Sequence, residues 1–181
     1  MKPEKKKRQR KSSKHATILQ QLAEAPQTLA FRSFRHQCGA ICFRLQGDVG
    51  AEVLLITSRD TGRWIIPKGW PIKGKTSSQA AAIEAYEEAG VRGKIGKKPV
   101  GRYTYLKSLE NGDVVPCVVE LYSLEVTKID EDFKEKGQRQ SAWVATDEAP
   151  RRVREVELKS FLASFKPRKK GSRLLGPTSD N

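Results

Sequence analysis

The sequence predicts an α/β fold in the order mixed sheet, one internal helix, more sheet and one terminal helix. Three observations carry that expectation. Strand-forming stretches recur on both sides of the chain's middle. A single run of helix formers, Ser77 to Ala89, lies between them. A length of 181 residues suffices for one domain with a real hydrophobic core.

Taken in order, Thr17 to Ala25 reads as a short helix ended by Pro26. Ser33 to Leu45 alternates and is rich in strand formers. Gln46 to Gly50 is a turn, and Glu52 to Ser58 is a second strand. So short a connection makes this pair antiparallel, because a parallel crossover needs about a dozen residues. Trp64-Ile65-Ile66 is a short strand stopped by Pro67, followed by a loop and then the helix Ser77–Ala89. Gly90 is placed to end that helix in the left-handed conformation. Val100 to Leu106 and Val114 to Val126 read as strands joined across Asn111-Gly112-Asp113. Ala142-Trp143-Val144 is a last short strand. Asp147 is expected to cap a final helix that reaches Phe165, broken or kinked near Pro150.

Charge divides the chain further. The net charge is +14, of which residues 1–14 carry +7 and residues 166–181 carry +4, leaving a nearly neutral body. The expected organisation is a disordered basic arm over 1–16, a domain over 17–165 and a disordered basic tail over 166–181. The run Lys5 to Lys11 suits weak contact with nucleic acid or another anionic surface, and equally suits a solubilising tail. No aromatic residues interleave with it, so base stacking is not indicated. No apolar run approaches the roughly 18 residues of a membrane span. A cytoplasmic location is expected, with a nuclear one open in a eukaryote. Cys38, Cys42 and Cys117 read as buried free thiols, the first two facing the same side of a strand.

The stretch Gly69 to Val91 carries the chemistry. Gly69 to Thr76 matches the nucleotide-binding P-loop pattern G-x-x-x-x-G-K-[ST]. Pro71 has no N–H to aim at phosphate, Trp70 and Ile72 are bulky for a tight wrap, and the preceding chain reads as antiparallel. The P-loop is therefore the weaker reading. Farther on, Glu84, Glu87 and Glu88 share one side of a helix within an arc of about 100°. Carboxylates crowded this way repel one another. An ordinary solvated acidic face is the plain alternative, but no basic side chain of the helix stands near enough to neutralise them. A hard cation such as Mg2+ or Mn2+, which takes oxygen ligands and engages phosphates, offsets the repulsion.

This segment resembles the Nudix box, G-x5-E-x7-R-E-U-x-E-E-x-G-U, where U is aliphatic. Gly69, Glu84, Glu87, Glu88, Gly90 and Val91 fall on its fixed positions, with Ala85 at the first U. Cys38 to Arg44, Val53 to Arg59 and Arg63 to Gly69 are similar to the diphosphoinositol polyphosphate phosphohydrolase branch, and the likeness spans roughly residues 31–165. The resemblance implies a Nudix-type α/β/α sandwich with a mixed sheet. It also implies a hydrolase of inositol pyrophosphates or diadenosine polyphosphates, needing Mg2+ or Mn2+. Glu84, Glu87 and Glu88 are implied as metal ligands and catalytic groups. Glu120, Glu131 and Glu135 are further candidates to accept a proton. Arg35, Ser58, Arg59, Lys68, Gly69, Arg102, Lys107 and Arg139 are expected around a small phosphorylated substrate. Lys75 stands where the box has Glu, and Ile83 where it has Arg. In the family that Arg orients the helix carboxylates, so a Nudix module that binds a phosphorylated ligand without turning it over stays open beside the enzyme. The oligomeric state is not legible.

Overall fold

In the computed structural model, residues 34–47, 50–109 and 114–167 are described. The expected helix at Thr17–Ala25, the hairpin turn at Asn111–Asp113, the basic arm and the basic tail from residue 168 on lie outside them. The strands are β1 (Arg35–Gln46), β2 (Gly50–Thr57), β3 (Trp64–Ile65), β4 (Lys68–Gly69), β5 (Val91–Ile95), β6 (Gly101–Ser108), β7 (Val114–Ile129) and β8 (Ser141–Ala145). The helices are α1 (Ser77–Ala89), α2 (Ala149–Arg152) and α3 (Val156–Ser164). The sheet runs β3-β2-β1-β7-β5, with β4 added on β1, β6 on β7 and β8 on β2. It is mixed, as expected. β1 and β7 pair in parallel from Arg35↔Cys117 to Phe43↔Glu125, and every other named pair is antiparallel.

Strand alternation divides the core in two. On one face Cys38, Ala40, Cys42, Leu54, Ile56, Tyr122 and Leu124 meet Ala80, Ala81, Ala85 and Ala89 of α1. On the other, Ile41, Phe43, Val53, Leu55, Val119 and Leu121 meet Ala149 of α2, Val153 between the two helices, and Leu158 and Leu162 of α3. The result is the α/β/α sandwich. Alanines on the inner side of α1 let the helix lie close to the sheet. Cys38, Cys42 and Cys117 are free and buried, and burial pushes all three thiols up. Among the described residues no helix is long and apolar enough to cross a membrane.

The terminal helix departs from expectation. Asp147 caps nothing, because α2 begins after Glu148, which makes no side-chain cap bond. Pro150 lies in the first turn, where its missing N–H costs nothing. The helix is broken near it, as expected, but at Val153, which is extended, buried and bridged to Trp64. Burying that valine in the core takes precedence over continuing the helix. Strand β5 was not anticipated, since only Val91 and Ile95 are apolar in it. It is held by β7, with a register shift between Arg92 and Gly93. Strand β4 was expected as loop. Its two residues pair with Cys38 and Gly39 of β1, and Ala40 N–H donates to the Pro67 carbonyl at 2.9 Å.

Candidate active site

Local sequence signals fix α1. Thr76 accepts from the Gln79 backbone N–H at 3.3 Å, and the Gln79 side chain accepts from Thr76 N–H at 2.9 Å, a reciprocal capping box. Gly90 ends the helix with φ 68°, and its N–H returns to the Tyr86 carbonyl. These caps dispose of the P-loop reading. Thr76 has its N–H and hydroxyl committed to the helix start, Lys75 is exposed, and the strand before the loop is a two-residue antiparallel one.

The helix presents its carboxylates to β4. A Cβ on Gly69 would fall inside the Glu84 carboxyl, so glycine there lets the β4 backbone lie against that side chain. One turn on, Glu88 is 7% exposed in its side chain. Its Oε2 accepts from the Lys68 backbone N–H at 2.9 Å, and its Oε1 pairs with Arg139 Nη2. Arg139 Nε donates to Glu135 Oε2 at 2.8 Å, and Nη1 donates to the Thr57 carbonyl at 2.9 Å. Glu87 turns away to Lys134 Nζ at 2.6 Å. The backbone joins these segments as well, since Glu135 N–H donates to the Glu87 carbonyl at 3.0 Å.

A cleft of about 180 Å³ opens above this cluster, lined among others by Gln37, Arg59, Lys68, Trp70, Glu84 and Glu88. It adjoins a wider cavity of about 700 Å³ bounded by Arg35, Arg59, Asp60, Trp70 and Lys107. Of the expected substrate contacts, Ser58, Arg59, Lys68, Gly69, Lys107 and Arg139 line the inner cleft, and Arg35 lines the outer one. Arg102 lines neither. It faces Glu120 at 3.1 Å across the β6–β7 ladder. Ser58 is engaged by its own turn, through Thr61 at 2.6 Å and Arg63 N–H at 3.2 Å. Of the three acids considered outside the helix, Glu135 reaches the cleft, whereas Glu120 is bound to Arg102 and Tyr122 and Glu131 is exposed. Gln37, Asp60 and Trp70 were not anticipated at the cleft. Trp70 had a visible signal, an indole in a loop beside the helix that carries the carboxylates, and it is 39% exposed.

The electrostatics of the cleft are unbalanced at one point. Glu84 has no hydrogen-bond or ion-pair partner among the described residues. Burial first, and then the charges of Glu88, Glu87 and Glu135, push its carboxyl up to about 7. Burial also raises Glu88, against the pull of Arg139 and the Lys68 N–H. Burial lowers the Lys68 ammonium, which lies 5.2 Å from the centre of the Tyr105 ring. Among the described residues no three His, Cys, Asp or Glu side chains stand at metal-ligand spacing, because Glu87 and Glu88 are each drawn to a cation of the 130–139 segment. The donor chemistry nonetheless fits a hard divalent ion. The groups are carboxylate oxygens, and Glu84 carries the uncompensated negative charge that such an ion relieves.

Known proteins resemble this chain in sequence and in fold. A sequence model of the NUDIX domain matches residues 35–165. Diphosphoinositol polyphosphate phosphohydrolase 2 of Rattus norvegicus is 34% identical over 119 residues, covering 64% of this chain and 61% of that protein. Nudix hydrolase 12, mitochondrial, of Arabidopsis thaliana is 30% identical over 132 residues, covering 65% of each. The chain thus spans less than two thirds of the length of these two relatives. Among solved structures, the NUDIX domain of Shewanella oneidensis NrtR, cocrystallised with ADP ribose, superposes with a TM-score of 0.53 at 15% identity. That match covers 81% of this chain and 95% of the other, a likeness of fold.

Proposed function

The chain belongs to the NUDIX domain family, and from that premise we propose that it is a divalent-metal-dependent pyrophosphohydrolase acting on a diphosphate-bridged substrate, an inositol pyrophosphate or a diadenosine polyphosphate. The observation that carries the reading is the pairing of opposites in one cleft. Glu84 and Glu88 stand on its α1 wall, and Arg59, Lys68 and Lys107 line it with them. Acids alone suit a metal and bases alone suit an anion. Both together suit a metal and a phosphate chain at once.

Each side chain then has a physical task. Arg59, Lys68 and Lys107 neutralise the substrate's phosphates, and Arg35 extends that field into the outer cavity. Lys68 is half-buried and has no ion-pair partner among the described residues, so an anion in the cleft would offset the desolvation of its ammonium. Glu84 and Glu88, with Glu87 as a further donor, hold the metal ion. Bound there, the ion supplies charge neutralisation at the diphosphate and lowers the pKa of an attacking water. Glu84 is the acid we assign to accept the proton of that water, since burial and the neighbouring charges of Glu88 and Glu87 raise its affinity for a proton. Most of the rate enhancement comes from positioning and charge stabilisation.

A second reading is supported by the ion pairs themselves. Glu87 and Glu88 are already matched by Lys134 and Arg139, and a cluster so satisfied suits a module that binds a phosphorylated ligand without cleaving it. One assay separates the two. The full chain is incubated with Mg2+ and, in turn, diadenosine tetraphosphate, ATP, an inositol pyrophosphate and ADP-ribose, with Glu88→Gln in parallel. Turnover of one substrate that Glu88→Gln abolishes is expected. Binding of a ligand without turnover of any supports the second reading.

A further inference from the structure

Helix α1 carries Glu84, Glu87 and Glu88 and no Lys or Arg of its own. Where the box pattern has a cation, this chain has Ile83, which lies in a shallow groove with Ala82, Tyr86 and Arg92 rather than in the cleft. The counter-charge to the carboxylates must therefore come from elsewhere in the chain. The 130–139 segment supplies it.

We propose that Arg139 is the positioning residue of this site, a fixed guanidinium that holds Glu88 in register with β4 and docks the 130–139 segment onto α1. The proposal rests on the reading of Glu84 and Glu88 as the reactive cluster, and it assigns Arg139 a different task from contact with substrate. The Arg139 side chain is 7% exposed, and all three nitrogens of its guanidinium are committed. They reach Glu88 on α1, Glu135 in the segment after β7, and the carbonyl of Thr57 at the end of β2. One side chain thereby joins three parts of the chain that are remote in sequence. Glu88 is fixed from both sides, by Arg139 on Oε1 and by the Lys68 N–H on Oε2, so its carboxylate plane is set. Glu135 is the second anchor. It takes the Nε donor and returns its own N–H to the Glu87 carbonyl, closing the segment over the end of the helix. The planar fork of arginine can serve these directions together, and the single ammonium of lysine cannot. A buried charge held this way is costly to orphan, so removing either partner leaves the other exposed to the full penalty.

The test uses the full chain and the variants Arg139→Ala, Arg139→Lys, Glu88→Gln and the double variant Arg139→Ala/Glu88→Gln. Thermal melts in EDTA need no substrate. Arg139→Ala should lose about 10 °C in Tm. The double variant should recover a substantial part of that loss, since the neutral amide no longer needs the guanidinium. Strictly additive losses would overturn the proposal. Steady-state kinetics with Mg2+ give the second readout. Arg139→Ala should lower kcat about 100-fold and leave KM within about twofold. A raised KM at unchanged kcat would make Arg139 a substrate contact and overturn the assignment. Arg139→Lys, which keeps charge and bulk, serves both experiments if the alanine variant does not fold, and should lie between it and wild type. If the wild-type chain turns over nothing, the hydrolase reading falls, while the melts still decide the link between Arg139 and Glu88.

Discussion

The two halves of the segment Gly69–Val91 are built on opposite terms. The loop half, Trp70 to Thr76, is largely exposed and makes its hydrogen bonds within itself and to the start of α1. The helix half, Glu84 to Val91, is pinned on every side: to β4 through Glu88, to the 130–139 segment through Arg139 and Lys134, and to the sheet through Ala85 and Ala89. The difference explains where the chain departs from its family pattern without disturbing the fold. Lys75 is in the exposed half. Ile83 comes just before the pinned half and faces a groove outside the cleft. A change in the first half alters little, and a change among the carboxylates alters everything that touches them.

Four predictions press on that contrast. Glu88→Gln removes an ion-pair partner of Arg139 and a proposed donor to a metal ion, and should cut turnover about 10³-fold at saturating substrate, read as kcat. Gly69→Ala puts a methyl group where the Glu84 carboxyl lies, at the far end of a flexible side chain that turns aside to make room. Stability by denaturant unfolding should change by less than about 1 kcal/mol, while displacement of Glu84 should lower kcat about 10-fold.

The third prediction concerns pH. Glu84 has a folded-state pKa raised from 4.5 to about 7, mainly by burial. The folded state therefore binds its proton more tightly than the unfolded chain does. Stability is unpenalised below the unfolded value of 4.5 and is lost as pH rises from there through about 7. In EDTA, Glu84→Gln should raise Tm by on the order of 5 °C at pH 8 and leave it unchanged at pH 4. An equal gain at both pH values would assign the effect to something other than charge. The smallest effect belongs to the loop half. Lys75→Ala should leave kcat/KM within about twofold of wild type, and a large loss would return Lys75 to the chemistry.

Much of this was legible beforehand, for reasons that are local. The bounds of α1 follow from Thr76 and Gln79 at one end and Gly90 at the other, all within a few residues of what they cap. The antiparallel β1–β2 pair follows from a short connection, and the common face of Cys38 and Cys42 from strand alternation. What escaped the sequence is non-local. β5 exists because β7 is there to pair with it, and β4 because β1 is. Asp147 looked like a cap, but burial of Val153 decided where the helix broke. At the site, the carboxylates were readable from helical spacing, since Glu84 and Glu88 are one turn apart. The partner of Glu88 was not, because Arg139 is 51 residues distant in sequence. Basic side chains could be nominated as neighbours of phosphate. Which of them serves a carboxylate instead depends on the fold.

The central claim is that the carboxylates of α1 and the bases opposite them cleave a diphosphate. It is tested most directly by following product release from an inositol pyrophosphate and from diadenosine tetraphosphate, with Mg2+ and with EDTA, for the wild-type chain and Glu88→Gln. The account predicts turnover of at least one of the two that needs Mg2+ and disappears in Glu88→Gln. Turnover that persists in EDTA or in Glu88→Gln, or none with either substrate, would contradict it.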